Sequence, residues 1–373
     1  MNATQENTAT IGLTCTAKDG STTAFDLAVS GTTDAAAIAK TKAEMDAIAA
    51  VPSGTPLPAL TGDPDSYDNK YLFEHGYGIR PDANTQPEQY AKWLDSVTKP
   101  GVLVTEYVEG PVSNGPNEQL LYAGGPGHGG WSGAIDYNWS ASGQTDVITA
   151  VAEFIVPEVF AESSIGNYSS ASTWAGLGGW NNKPLWQAGV DEHTQTVLWV
   201  ETSSYNAWWQ LAPNVNEEGT YSVNNGDDVE SQVWICDITN NYYVTDSSNP
   251  NGYLCVWLHD YTNNQTTSGY WPSNNAGTWP SAWNTGEAIQ EWNNGGSNDY
   301  AQFNPFEFRQ AWDYWYTGNT YGVQQNQMGS SDSTSMAQIG TYAATVGGSC
   351  MANQYGTCKD SGTYVSVWWN AHQ

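Results

Sequence analysis

The chain has 373 residues, only ten Lys and Arg, and a net charge of −29, although just 13% of its residues are charged, so the imbalance reflects missing cations. Such a surface repels nucleic acid and anionic membranes alike. No apolar run approaches the roughly 20 residues that span a bilayer, so neither partner is expected, and the length divides most naturally into a small unit and a large one.

Seven of the ten cations precede residue 125; Lys183, Arg309 and Lys359 follow it, against 23 acids. Below about pH 4, the ordinary carboxyl range, much of that charge disappears. The second part therefore suits an acidic medium, with plain solubility or salt adaptation as alternatives. The start, Met1-Asn2-Ala3-Thr4, lacks the basic and apolar regions of a signal peptide and reads as that of a soluble, already trimmed chain.

Residues 1–125 read as a small α+β unit. Thr10 to Ser30 alternates as two strands about Lys18-Asp19-Gly20, and Asp34 to Ala50 is an Ala-rich helix. A second helix is announced by Thr85-Gln86-Pro87-Glu88, where Thr85 caps and Glu88 reaches back, with Tyr90, Trp93, Leu94 and Val97 on one face. A glycine-rich linker follows near 123–130.

From Trp131 onward short apolar or aromatic runs alternate with Asn, Gly and Ser clusters: Val147 to Val156, Ser172 to Leu177, Val197 to Thr202, Val229 to Ile235, Tyr253 to Leu258 and Tyr364 to Trp369. This is the pattern of an antiparallel β-sandwich over 131–373. It holds most of the 19 Trp, more than core filling needs, so some are expected to line a groove. Cys236 with Cys255 and Cys350 with Cys358 have the separations of local disulfides, which fits an oxidising exterior; buried thiols are the alternative, and Cys15 is left over. No metal-ligand spacing occurs among the His and Cys residues, and neither metal nor cofactor is expected.

Side chains alternate along a strand. Gln187 therefore shares a face with Leu185, Gly189 and Asp191, and Glu287 with Ile289 and Glu291. Trp208 is flanked by Asn206 and Gln210, and Trp174 by Gly176 and Gly178. A sheet bent so that these faces converge makes an aromatic, carboxamide-rich trough with one or two carboxylates. A carboxylate can stay ionised in acid where His is protonated, and a carboxamide donates hydrogen bonds at any pH. Plain sheet residues facing water are the bland alternative.

Several segments, in order and at matching spacing, resemble the eqolisin-type glutamic peptidases: Trp131-Ser132-Gly133-Ala134-Ile135, Ala150 to Pro157, Ser172 to Gly179, Leu185-Trp186-Gln187-Ala188-Gly189, and Tyr205 to Gln210. Gly286-Glu287-Ala288-Ile289-Gln290-Glu291 is similar to the family segment Ala-Glu-Trp-Ile-x-Glu, whose first Glu is catalytic. The ungapped register selects Glu287 and places Ala288 at the family's Trp; a slip restoring Glu-Trp selects Glu291. The resemblance covers roughly residues 131–310. Gly269-Tyr270-Trp271-Pro272-Ser273 and Gln327-Met328-Gly329-Ser330 lean toward the related neprosin group and keep a preference around proline open.

The resemblance implies an all-β sandwich of two antiparallel sheets, a concanavalin-like jelly roll, preceded by a small α+β prodomain. It also implies an acid-acting endopeptidase, made as a zymogen, that works without metal or covalent intermediate. Glu287 is then the general base, and Gln187 orients the water and donates to the oxyanion. Trp174, Trp208, Gly178, Asn206, Gln210 and Glu291 line the substrate side. Acids that neighbour the pair in fungal members correspond to Gly178, Asn206 and Gln210 here. Losing like charges should let Glu287 ionise at lower pH, and Gln210→Glu should move the acid limb of kcat/KM upward.

The first unit is expected to be a prosegment that covers the trough until acid breaks ion pairs made by Lys18, Lys40, Lys42, Lys70, Arg80, Lys92 and Lys99; a retained accessory domain is the alternative. The expected partners are protein or peptide substrates and this prosegment, and the protein is expected to be a secreted monomer in an acidic environment. A carbohydrate-binding sandwich, stacking sugars on a Trp-lined sheet, is the alternative from another class.

Overall fold

The computed structural model describes residues 8–16, 22–30, 54–105, 130–137, 147–161, 168–179, 185–197, 200–212, 218–236, 253–272, 285–291, 299–316, 323–327, 336–339, 344–347 and 365–369. The chain forms two compact units, Met1–Val51 with Val197–Val200, and Pro52–Thr196 with Glu201–Gln373. In the first, β1 (Thr8–Thr16) and β2 (Thr22–Ser30) pair antiparallel with Thr16 opposite Thr22; the expected turn at Lys18-Asp19-Gly20 lies outside the described residues. The helix expected over Asp34 to Ala50, the linker at 123–130, and Cys350 with Cys358 lie outside the described residues.

The second unit opens with β3 (Thr55–Leu57), α1 (Asn69–Glu74), α2 (Pro87–Val97) and β4 (Gly101–Thr105). Helix α1 has no counterpart in the sequence reading because six residues are too few to show a period. Its first turn is secured by Asp68, whose carboxylate accepts the Tyr71 amide at 2.7 Å. Helix α2 begins at Pro87 as expected, but its cap position falls on Gln86, which makes no side-chain cap bond, so Thr85 does not cap it. The Thr85 amide is instead taken by Asp82 at 3.0 Å. The predicted inner face holds: Trp93 and Val97 are buried, and Tyr90 and Leu94 pack against the same cluster.

The sandwich follows, with β5 (Trp131–Tyr137), β6 (Val147–Ile155), β7 (Val159–Phe160), β8 (Tyr168–Gly178), β9 (Leu185–Val197), β10 (Val200–Ala212) and β11 (Glu218–Val223). Next come β12 (Asp228–Cys236), β13 (Tyr253–Asp260), β14 (Gln265–Pro272), β15 (Thr285–Glu291), β16 (Asp299–Tyr300), β17 (Gln302–Phe303) and β18 (Phe306–Phe308). The last are β19 (Trp312–Tyr316), β20 (Val323–Gln327), β21 (Met336–Ile339), β22 (Ala344–Gly347) and β23 (Val365–Trp369). One sheet runs β11-β10-β9-β8-β15-β5-β21, and the other β22-β23-β18-β6-β12-β13-β14-β4-β3. Most ladders are antiparallel; β16 on β8 and β4 on β14 are parallel. Residues after 310 thus supply strands to both sheets.

Alternation decides which face turns inward. Ala175, Leu177, Trp186, Ala188, Val190 and Ala288 meet Ala150, Ala152, Phe154, Val229, Val233 and Leu254 in one core between the sheets. Each large side chain buried there is worth about 1.5–3 kcal/mol, and a one-residue slip of β9 or β15 would forfeit that burial. The same alternation sends Gln187 and Glu287 to the opposite face.

On the outer face of the larger sheet, Cys236 and Cys255 form a disulfide across β12 and β13, with Cα atoms 5.9 Å apart. It lies in a cluster with Phe73 of α1, Trp234 and Trp257. Residues 54–105 therefore belong with the sandwich, on the face away from Gln187, and do not cover the trough as a prosegment was expected to. Lys18, Lys40 and Lys42 lie outside the described residues; of the four candidate cations among those described, Lys92 reaches the sandwich, bonding Glu153 and, at 2.7 Å, Asp228. Lys70, Arg80 and Lys99 pair with Glu74, Asp65 and Asp95 inside their own segment.

Candidate active site

Three rows cross β9, β8 and β15 on the outer face of the smaller sheet: Gln187–Gly176–Glu287, then Gly189–Trp174–Ile289, then Asp191–Ser172–Glu291. Strand β5 places Ile135 opposite Glu287 and Trp131 opposite Glu291. Trp131, Ile135, Trp174, Leu185, Trp208 and Ile289 form an apolar cluster here, separate from the sandwich core. The four faces inferred from alternation thus share one side of one sheet.

Gly176 is what lets the first row work. A Cβ at this position would lie 2.6 Å from the Trp174 ring and 3.0 Å from both Glu287 Oε2 and Leu185 Cδ1. The Glu287 carboxylate therefore leans over the middle strand, toward Gln187. Two strand spacings separate the backbones by roughly 10 Å, and the carboxylate closes part of that span. Gly178 has φ +81°, a conformation in which a Cβ is strained, and its carbonyl accepts the Thr285 hydroxyl at 3.1 Å.

Gln187 Nε2 donates to Gln210 Oε1 at 2.8 Å. Among the described residues, the buried polar atoms without a hydrogen-bond partner include Gln187 Oε1, both Glu287 carboxylate oxygens and Trp208 Nε1. Polar groups buried inside proteins are almost always paired, so these atoms are candidates to meet water or a ligand. Exchanging N and O in both Gln187 and Gln210 keeps their mutual bond and turns the Gln187 NH2 to the free side. Asn206 is occupied, accepting from Ser222 at 3.3 Å.

Burial pushes the Glu287 carboxyl up to about 8, and the nearby Thr285 hydroxyl is spent on the Gly178 carbonyl rather than on this carboxyl. Glu291 is pushed up to about 7 by burial, opposed by the indoles of Trp131 and Trp174 and reinforced by Asp191; Trp174 Nε1 donates to Glu291 Oε2 at 2.9 Å. No neighbouring acid contributes to the shift at Glu287; burial alone raises it. Removing neighbouring acids does lower a carboxyl pKa, but taking the group out of water raises it further.

Trp174 and Trp208, expected as groove walls, are 0% and 3% exposed and packed in the apolar cluster. Gly178, Asn206, Gln210 and Glu291 lie on the same face as the pair, Gly178 contributing backbone only. Gly176 and the Asp191–Ser172 contact, in which Ser172 donates to the Asp191 carboxylate, were missed as site features. Parity puts them on the right face, but only the strand register shows which glycine stands between the pair.

Gln187 and Glu287 thus flank Gly176 on one face of one sheet, a carboxamide on one side and a carboxyl on the other. Residues 129–349 match the Peptidase A4 family; the chain belongs to that family, the eqolisin-type glutamic peptidases, and is a glutamic-type endopeptidase. Among solved structures it is similar to scytalido-glutamic peptidase with a peptide-based transition-state analogue (19% identity, 65% of this chain, 98% of that one, TM-score 0.40). It is also similar to SCP-B, an eqolisin in complex with the tripeptide Ala-Ile-His (18%, 65%, 98%, TM-score 0.39). A third is aspergilloglutamic peptidase from Aspergillus niger (17%, 54%, 99%, TM-score 0.36). No curated protein matches the chain.

Proposed function

We propose that the chain is an acid-acting endopeptidase with Gln187 and Glu287 as its catalytic pair, secreted as a zymogen into an acidic medium and trimmed near residues 123–130. The observation that carries this reading is the shared row: both residues pair with Gly176, and the Glu287 carboxylate lies over that glycine. The family match begins at residue 129, which supports the position of the cut. Glu291 shares the face but is already engaged by Trp174, so the ungapped register is the better one.

Glu287 acts as general base, taking a proton from a water that attacks the peptide carbonyl, and then returns it to the departing amine. Buried as it is, Glu287 holds its own proton throughout the acidic range. Water admitted with the substrate relieves that penalty and returns the carboxyl toward its ordinary range, where it ionises in mild acid. Gln187 orients the water and donates its amide to the oxyanion.

Gln210 touches Gln187 rather than Glu287, which changes the prediction for Gln210→Glu. Protonated, the new carboxyl can donate to Gln187 Oε1 and leave its NH2 for the oxyanion. Ionised, it only accepts, and holds that NH2 away. The expected result is a near-normal kcat in strong acid and a loss of about 10²-fold above the new carboxyl's pKa, the cost of one oxyanion donor; a kcat profile parallel to wild type contradicts it.

The function is tested by incubating the purified chain with a denatured protein from acidic to neutral pH, with and without pepstatin, which targets aspartic peptidases. Cleavage in acid, undiminished by pepstatin, is expected. Retention on immobilised glycans without any cleavage would favour the carbohydrate-binding reading.

A further inference from the structure

Residues 54–105 form a third layer on the outer face of the larger sheet, built into it at several points. Strand β4 extends that sheet by pairing with β14, Val102 opposite Gln265 and Leu103 opposite Thr266, and β3 pairs with β4. Asn264, at φ +51°, donates its side-chain amide to the carbonyls of Ser96, Lys99 and Pro100 at 3.3, 3.3 and 2.9 Å. The carbonyl of Ser96 in the last turn of α2, and those of Lys99 and Pro100 just beyond it, are thus bonded by the sandwich.

The apolar contacts are equally close. Phe73 packs edge-on against Trp234 with ring centroids 5.1 Å apart. At Gly78 (φ +72°) the backbone lies so near Trp257 that a Cβ would come within 2.6 Å of the indole. Gln89 donates to Gln310 at 2.8 Å.

Lys92 supplies the ionic contact. It bonds Glu153 and Asp228 and stands 5.3 Å above the ring of Tyr261. Tyr261 donates to Glu230 at 2.8 Å, and Arg309 lies 3.8 Å from Asp228. His259, stacked on Trp257 and edge-on to Tyr261, is held neutral far into acid by burial. Protonating Glu153 and Asp228 weakens this one cluster, but leaves the strand ladder, the Asn264 bonds and the aromatic packing untouched.

We propose that residues 54–105 are a permanent layer of the enzyme: when the chain is cut in 123–130, the N-terminal piece stays bound, and the working peptidase is a two-chain complex. The inference rests on the peptidase reading only for the natural cut, so the test supplies its own. A site-specific protease sequence replaces residues 124–129 in the Glu287→Gln background, and the cut protein is passed over a sizing column near pH 4 and near pH 7. Both pieces are expected in one peak at each pH, with the thermal midpoint of the uncut chain and separation only in denaturant. An N-terminal piece eluting alone at either pH overturns the proposal. Wild-type chain trimmed by added acid peptidase, its peak read by mass spectrometry, gives the same answer should the inserted sequence disturb folding. The peptidase reading fails separately, through Glu287→Gln cleaving peptides at the wild-type rate.

Discussion

The thermal midpoint should rise when the buffer is taken from about pH 7.5 to about pH 4, the reverse of ordinary acid denaturation. Burial pushes Glu192 and Glu287 up to about 8, Glu291 to about 7 and Asp260 to about 6. A carboxyl whose folded pKa is raised keeps its proton in the native state while the unfolded chain releases it. Its stabilisation is therefore complete below the unfolded value near 4.5 and is lost as pH rises toward the folded one. At about 1.4 kcal/mol per pKa unit, Glu192 and Glu287 each contribute on the order of 4 kcal/mol of this difference. His259 opposes it: burial pushes its pKa down to about 3, so its share of stability is lost as pH falls below 6.5. Burial lowers His193 as well, but it also raises Glu153 and Glu230, so among the described residues two histidines stand against six carboxyls and leave a net gain in acid, expected as a rise on the order of 10 °C in a calorimetric scan. A midpoint that falls between those pH values contradicts the burial of these carboxyls.

The parts of this molecule that repeat with a short period were legible in the sequence. Alternation over Leu185 to Asp191 and Glu287 to Glu291 placed Gln187 and Glu287 on their faces, and the pairing of Cys236 with Cys255 followed from local spacing. What depends on register between distant strands was not legible. Gly176 stands between the pair because β8 lies between β9 and β15, an order no local pattern encodes. The burial that raises Glu287 was not legible for the same reason: the apolar cluster on its face is assembled from Trp131, Ile135, Trp174 and Leu185 on three strands. Composition likewise set residues 54–105 apart from the sandwich, whereas β4 and Lys92 join them to it. Helical periodicity and a glycine-rich stretch mark where a segment changes character, and say nothing about what it packs against.

Glu287→Gln is the substitution with the largest expected effect on activity. It is isosteric and removes only the ability to take up and return a proton. General-base loss alone is worth about 10²–10⁴-fold, and with the water no longer activated kcat should fall by at least about 10³-fold. The fold should not suffer, because a neutral amide avoids the cost of ionising Glu287 in its buried position; the midpoint near pH 7.5 should rise. Glu291→Gln is the discriminating partner, since the amide oxygen can still accept the Trp174 indole and the row of Gln187 is left intact. The deciding measurement is the initial rate of peptide cleavage in acid by wild type, Glu287→Gln and Glu291→Gln, each shown to be folded by its thermal midpoint. The predicted result is a Glu287→Gln enzyme without measurable turnover beside a Glu291→Gln enzyme within about tenfold of wild type. A Glu287→Gln chain that cleaves at the wild-type rate, or a Glu291→Gln chain that alone is inactive, would contradict the assignment of the Gln187–Glu287 pair.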